Sequence, residues 1–246
     1  MPKQKAAAEP AEKADIAVIL PAAGQSLRMG MGTREPFLKI GGEPILLRTI
    51  KRLAAAPGVL EIILVVHPDD LDAVQGEWWE RLAAAGATLA VAGGASRADS
   101  IWNAIQVVSA RAEMIAVHDA VRPFVSLDIL KALFSTARRH GAAIPVVPLT
   151  DTPKRIEGDK VMETPRRLGL MRVQTPQVFS SDLLIEAYEY ALKTGGLSDN
   201  ITDDSQMVEN LGREVAAVYG DEYNIKITTS KDLGLADALL AAGLVE

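Results

Sequence analysis

Apolar residues in this chain gather into short runs, separated by stretches in which they recur every third or fourth position. The runs IAVIL (16–20), LEIILVV (60–66), TLAVA (88–92), MIAVH (114–118) and AAIPVVP (142–148) are rich in β-branched residues and do not alternate with polar ones. That pattern predicts strands buried on both faces. Between them, Ile101, Ala104, Ile105 and Val108 follow SRAD, and Leu130, Leu133 and Phe134 follow VSLD, at helical spacing. Strand and helix therefore alternate, which predicts an α/β fold, a Rossmann-like, mostly parallel sheet flanked by helices. Ligands of such sheets sit beyond the carboxyl ends of the strands, so the residues just after each run are the candidates for chemistry.

The alternation breaks at 149–175, a polar stretch containing TDTPKRIEGDK and TPRRLGL. It is long for a structureless loop in a compact domain and predicts a projecting hairpin, a lid or an oligomer contact. Beyond it come an amphipathic helix at 181–194, an acidic helix start at ITDDSQMVENLG, a strand at REVAAVYG, the segment NIKITT, and a last helix from Ser230. No internal repeat breaks the chain into units, and the expected division is a solvated tail at 1–15 followed by one domain at 16–246.

Composition narrows the chemistry. At 246 residues and 48% apolar content the chain fills a single enzyme-sized core. It has no apolar run of transmembrane length and no signal-peptide core, so a cytoplasmic protein without membrane partners is expected. The absence of cysteine excludes disulfides, thiolate metal sites and cysteine nucleophiles. A metal would be a hard cation on oxygen ligands, magnesium first. The net charge of −6 argues against a general affinity for nucleic acid, so an anionic ligand must be held by cations gathered locally.

After the first run comes Pro21-Ala22-Ala23-Gly24, then Arg28, where small residues let backbone N–H groups approach a phosphate. The dinucleotide pattern G-x-G-x-x-G and the Walker pattern are both missing, which disfavours an NAD-dependent oxidoreductase. Taken alone, the stretch reads as an ordinary strand-to-helix turn. The third run ends in GGASRADS (93–100), where Ser96 or Ser100 also reads as a helix cap. The fourth ends in HDAVRP (118–123), where Asp119 is placed to hold magnesium or merely to cap a turn, and His118 reads as structural.

PAAG with Arg28, GGASRADS, HDAVRP, the DTPKR stretch, TPQVF, ITDDS and NIKITTSKDL stand in an order that resembles the 2-C-methyl-D-erythritol 4-phosphate cytidylyltransferases over about 16–240. The related ribitol-5-phosphate cytidylyltransferases share the same combination. The resemblance implies a nucleotidyltransferase-type fold and transfer of CMP from CTP to a polyol phosphate, with magnesium. By position it implies that Ala22, Ala23 and Gly24 line the nucleotide, that Gly94 and Ser100 contact cytosine and ribose, and that Arg97 secures the loop over the base or its phosphates. It places Arg28 on the triphosphate, Asp119 on the metal, and Arg122, Thr152, Arg167, Thr175, Thr202 and Lys226 around the acceptor. It further implies that 149–175 is an arm reaching into a second subunit, giving a homodimer with shared sites.

One position departs from the pattern. The family carries a lysine in P-K-Q-[YF]-L of the first loop, and here that position falls on Glu35 of GTREPFL. A carboxylate facing a phosphate at ~4 Å costs roughly 4 kcal/mol at an effective dielectric of 20, so Glu35 does not replace the lysine. Arg34 supplying the cation through a shifted loop is the favoured reading, which puts Arg34 with Arg28 and Lys226 among the catalytic candidates. Magnesium taken up by Glu35, or a nucleotide-binding protein without turnover, are the others.

Overall fold

A computed structural model describes residues 13–23, 35–195 and 201–246. Strand β1 (Ile16–Pro21) leads to a short 3-10 turn at Glu35–Phe37, a small ribbon of β2 (Lys39–Ile40) and β3 (Glu43–Pro44), and helix α1 (Ile45–Ala54). Strand β4 (Val59–Val66) is followed by α2 (Leu71–Ala73), which passes through a π-helical turn at Val74–Trp78 into α3 (Trp79–Ala85). Then come β5 (Leu89–Ala92), α4 (Arg97–Ile105), β6 (Met114–Val117), α5 (Leu127–His140) and β7 (Ala142–Pro148). The remainder is β8 (Arg155–Glu157), β9 (Lys160–Glu163), β10 (Met171–Val173), β11 (Gln177–Ser180), α6 (Ser181–Thr194), α7 (Asp204–Asn210), β12 (Ala216–Tyr219) and α8 (Ser230–Ala241).

The five apolar runs all lie on strands of one eight-stranded sheet, ordered β10-β7-β11-β6-β1-β4-β5 with β12 on the free side of β7. β1 pairs in parallel with both β4 and β6, and β4 with β5. Because successive side chains point to opposite faces, β1 serves two cores. Ile16, Val18 and Leu20 pack with Leu46, Ile50 and Leu53 of α1 and with Leu130, Leu133 and Phe134 of α5. Ile19 joins Ile63, Val65, Ile115 and Val117 against Ile101 and Ile105 of α4, Leu184 and Tyr188 of α6, and Met207 of α7. Helices cover both faces, which is why these strands read as unbroken apolar runs.

Three features differ from the sequence expectation or sharpen it. The segment TPQVF contributes β11, which enters the sheet antiparallel between β6 and β7. The stretch at 149–175 forms the exposed hairpin β8–β9 and then returns through β10 along the outer half of β7. At the amino end, residues 1–12 lie outside the described residues, but Asp15 belongs to the domain rather than to a tail. It is buried, its carboxylate accepts from Arg138 at 2.7 Å, and its carbonyl accepts from Glu113 and Met114.

Candidate active site

The carboxyl ends of β1, β4, β5 and β6 share one edge of the sheet, and local sequence shapes what each presents there. Beyond β1 the Ala22 amide donates to Val65, and beyond β5 the Gly93 amide donates to Val66, each at 2.7 Å, so the two turns lie side by side. A Cβ on Gly93 would stand 2.7 Å from the Ala23 Cβ and 2.9 Å from the Ser100 Oγ, a spacing that admits only glycine. Ser100 is buried. Its Oγ accepts from the Gly94 amide at 3.0 Å and donates to the Ser96 carbonyl at 2.8 Å, so it shapes the glycine loop from within. Ser96 and Asp99 form a reciprocal capping box that starts α4 and places Arg97 in its first turn.

The charged centre lies beyond β6. Asp119 is buried, and its Oδ2 accepts from Arg122 Nε at 2.9 Å and faces Lys226 Nζ at 3.2 Å. Burial alone would raise its pKa, but Lys226 and Arg122 outweigh that and hold the carboxyl down at about 2. Arg122 is fixed at its other end by the Asn224 carbonyl at 2.8 Å, and the Ile227 amide donates to Val121 at 3.0 Å. Those two bonds dock the segment NIKITT against the HDAVRP turn and bring Lys226 to Asp119.

His118 braces this turn. Its Nε2 lies 2.9 Å from the Arg122 carbonyl, which only accepts, so Nε2 carries the proton and Nδ1 accepts from the Thr175 hydroxyl at 3.1 Å. The same hydroxyl accepts from the Asp119 amide at 3.0 Å. The Thr175 side chain is thus engaged within the protein, where it fixes the Asp119 amide and the His118 ring. Full burial lowers the His118 pKa from 6.5 to about 4 against the pull of the Arg122 carbonyl. Below pH 6.5 the unfolded chain takes up this proton while the folded chain does not. Folding stability is therefore expected to fall by about 3 kcal/mol as the pH drops from 6.5 to 4. Urea midpoints over this range check it, and His118→Gln should flatten the slope.

Arg97 pairs with the buried Asp204, Nη2 to Oδ2 at 2.8 Å, and lies within electrostatic reach of Asp119. Thr202 is exposed and bonds Gln206 just ahead of α7. Thr152 and Arg167 are exposed on the arm, where Arg167 donates to the Thr150 carbonyl. Among the described residues, no hydrogen bond or ion pair joins either to the Asp119 cluster of the same chain. Gly24, Arg28, Arg34 and the Glu35 side chain lie outside the described residues. Three residues not singled out in the sequence also shape the site: Asn224 bonds Arg122 and the Thr175 carbonyl, Asp204 bonds Arg97, and Gln177 accepts from the Asp204 and Ser205 amides. Asn224 and Asp204 stand in NIKITT and ITDDS, but nothing in those strings marked them off from their neighbours.

The fit to magnesium can be judged from the donors. Asp119 is ionised, and among the described residues none bonds its Oδ1 and no group of three or more His, Asp or Glu side chains is arranged to hold a metal ion. A single carboxylate suits a cation carried mainly by phosphate oxygens and water, and does not suit an all-protein cage. Among the described residues no helix is long and apolar enough to cross a membrane.

Known proteins agree with this layout. The family model described as 2-C-methyl-D-erythritol 4-phosphate cytidylyltransferase matches residues 16–242. A curated relative of that name from Solibacter usitatus is 44% identical over 236 residues, covering 92% of this chain and 95% of its own. Another from Symbiobacterium thermophilum is 41% identical over 226 residues, covering 92% of each chain. The crystal structure of 4-diphosphocytidyl-2C-methyl-D-erythritol synthase from Anaerococcus prevotii superposes with a TM-score of 0.79 at 32% identity, over 92% of this chain and 96% of that one. The Thermus thermophilus enzyme superposes with a TM-score of 0.72 at 32% identity, over 92% and 99%. With a model spanning nearly the whole domain and relatives this similar, the chain belongs to the 2-C-methyl-D-erythritol 4-phosphate cytidylyltransferase family.

Proposed function

We propose that this chain transfers CMP from CTP to 2-C-methyl-D-erythritol 4-phosphate, giving 4-diphosphocytidyl-2-C-methyl-D-erythritol and pyrophosphate. The observation that carries the reading is the Asp119–Arg122–Lys226 cluster set beside the small-residue turn of Ala23, Gly93 and Gly94. In the reaction a phosphate oxygen of the acceptor bonds to the α-phosphorus of CTP, and the bond from that phosphorus to the β-phosphate bridge oxygen breaks, releasing pyrophosphate. The attacking group is already an anion, so no general base is needed, and catalysis consists of bringing two polyanions together and in line.

Each residue has a task in that. Ala22, Ala23, Gly24 and Gly94 leave room for backbone contact with the nucleotide, and a pocket so edged accepts a pyrimidine more readily than a purine. Ser100 holds the glycine loop in that shape. Arg28 and Arg34 supply positive charge for the triphosphate, and Lys226 and Arg122 supply it for the acceptor phosphate and the charge that develops in transfer. Asp119 would hold magnesium, which neutralises phosphate charge when bound. Thr202 completes the acceptor side. Thr152 and Arg167 join it from a second subunit. In support of such a homodimer, the arm exposes Ile156, Val161, Met162 and Leu168, apolar side chains that a partner would cover.

Pyrophosphate release from CTP, magnesium and the acceptor tests the assignment, with ribitol 5-phosphate run in parallel and Arg34→Ala and Glu35→Lys beside the wild type. Turnover with methylerythritol phosphate that collapses in Arg34→Ala is the expected result. Preference for ribitol 5-phosphate would move the acceptor assignment. A silent wild type revived by Glu35→Lys would mean that the nucleotide site persists without the reaction.

A further inference from the structure

Asp204 is fully buried at the start of α7, yet it bonds Arg97 in the first turn of α4, directly after the glycine loop. Its own position is fixed without that loop. Gln177 at the start of β11 accepts from the Asp204 and Ser205 amides at 3.1 and 2.9 Å, and donates to Asp203 at 3.0 Å. Tyr188 of α6 donates its hydroxyl to Asp204 Oδ1 at 2.7 Å, and its ring stacks on Trp102 of α4. One oxygen of the carboxylate is thus committed to the scaffold, and the other is aimed at Arg97 Nη2.

The Arg97 side chain remains one-third exposed, and among the described residues its guanidinium makes no other hydrogen bond. A guanidinium is a planar fork, so holding one nitrogen fixes the direction of the rest. We propose that Asp204 is a positioning residue, which uses its second oxygen to aim the free edge of Arg97 into the crevice between the glycine loop and Asp119, where an anionic oxygen of the nucleotide is received. The inference rests on the cytidylyltransferase reading for the identity of that nucleotide. It gives the ITDDS segment a role on the CTP side, in addition to the acceptor side on which Thr202 stands.

A merely structural ion pair would change stability and leave affinities per folded molecule alone. Asp204→Asn keeps the size of the side chain, and its amide oxygen still accepts from Tyr188. It surrenders the charge-assisted bond to Arg97, a bond about twice as strong as a neutral one. The expected result is a rise of about tenfold in KM for CTP, with KM for the acceptor within twofold and kcat largely kept. Tyr188→Phe removes the bond on the other oxygen and is expected to lower the melting temperature with KM for CTP within twofold. Arg97→Lys, which lacks the fork, should match Asp204→Asn.

A lowered melting temperature in Asp204→Asn with unchanged KM for CTP would overturn the proposal. So would equal rises in both KM values, which would mean that the site had loosened as a whole. If Asp204→Asn does not fold, Arg97→Lys carries the test alone, and an unchanged KM for CTP in it overturns the proposal. Should the wild type release no pyrophosphate, the reaction assignment fails by itself. Calorimetric titration of the same variants with CTP then decides the positioning role on affinity alone.

Discussion

Asp119→Asn is expected to reduce turnover about a thousandfold, because the substitution removes the one anion on which the cluster converges. The wild-type carboxylate accepts from Arg122 and faces Lys226 with the same oxygen. An amide placed there carries no charge to hold both cations, and its NH2 offers hydrogens where acceptors are needed. Stability should fall too, since Arg122 is nearly buried and loses its counter-charge. The ionised carboxylate, with a pKa of about 2 against 3.8 for the free group, contributes about 2 kcal/mol. That contribution is present above pH 3.8 and is lost as the pH falls through 2. Initial rates normalised to folded protein, with urea midpoints alongside, check both effects. A variant keeping a tenth of the wild-type rate would remove Asp119 from the metal and charge assignment.

Lys226→Met should lower kcat about a hundredfold while KM for CTP changes less than threefold. The ammonium stands at the open side of the same carboxylate, nearly half exposed, so its ion pair adds little to folding. The melting temperature is expected to stay close to the wild-type value, which separates this variant from Asp119→Asn. In the proposed transfer its value would be kinetic, as an exposed cation beside a nearly buried guanidinium, able to follow charge onto the departing pyrophosphate and the new diphosphate bridge. Equal losses in kcat and kcat/KM would place the contact in the transition state. A higher KM for CTP at unchanged kcat would reassign Lys226 to nucleotide binding.

The strands that carry the site could be read from sequence because burial on both faces leaves an unbroken apolar string. IAVIL and MIAVH fell within a residue of β1 and β6. The residues following the runs were then candidates by position alone, which singled out Asp119 and Arg122, while Gly94 took its expected role from the family resemblance. What sequence could not supply was pairing across distance. Nothing in GGASRADS points from Arg97 to Asp204, 107 residues away, until the chain folds one against the other. Thr175 is implied by the resemblance to face the acceptor, and only the fold shows its hydroxyl bonded to His118 and the Asp119 amide as well. NIKITT has the apolar alternation of a strand, but it runs without ladder partners, and the Asn224 carbonyl and the Ile227 amide bond the HDAVRP turn instead. Local pattern records what a segment buries, and partner choice is settled by the order of strands in the sheet.

That order also dictates a sequence of assembly. β1, β4, β5 and β6 are all delivered by Val117, and their parallel pairings already set the turns after β1 and β5 side by side. The exposed flank of β6 is sealed only when β11 arrives, with Gln177 opposite Val117, after the whole arm has been synthesised. Closing so long a loop is slow relative to local helix formation, so the emerging chain carries an unpaired edge in its centre for the interval. The Asp119 turn, which takes its brace from Thr175 at the head of β11, is consequently among the last parts of the protein to set.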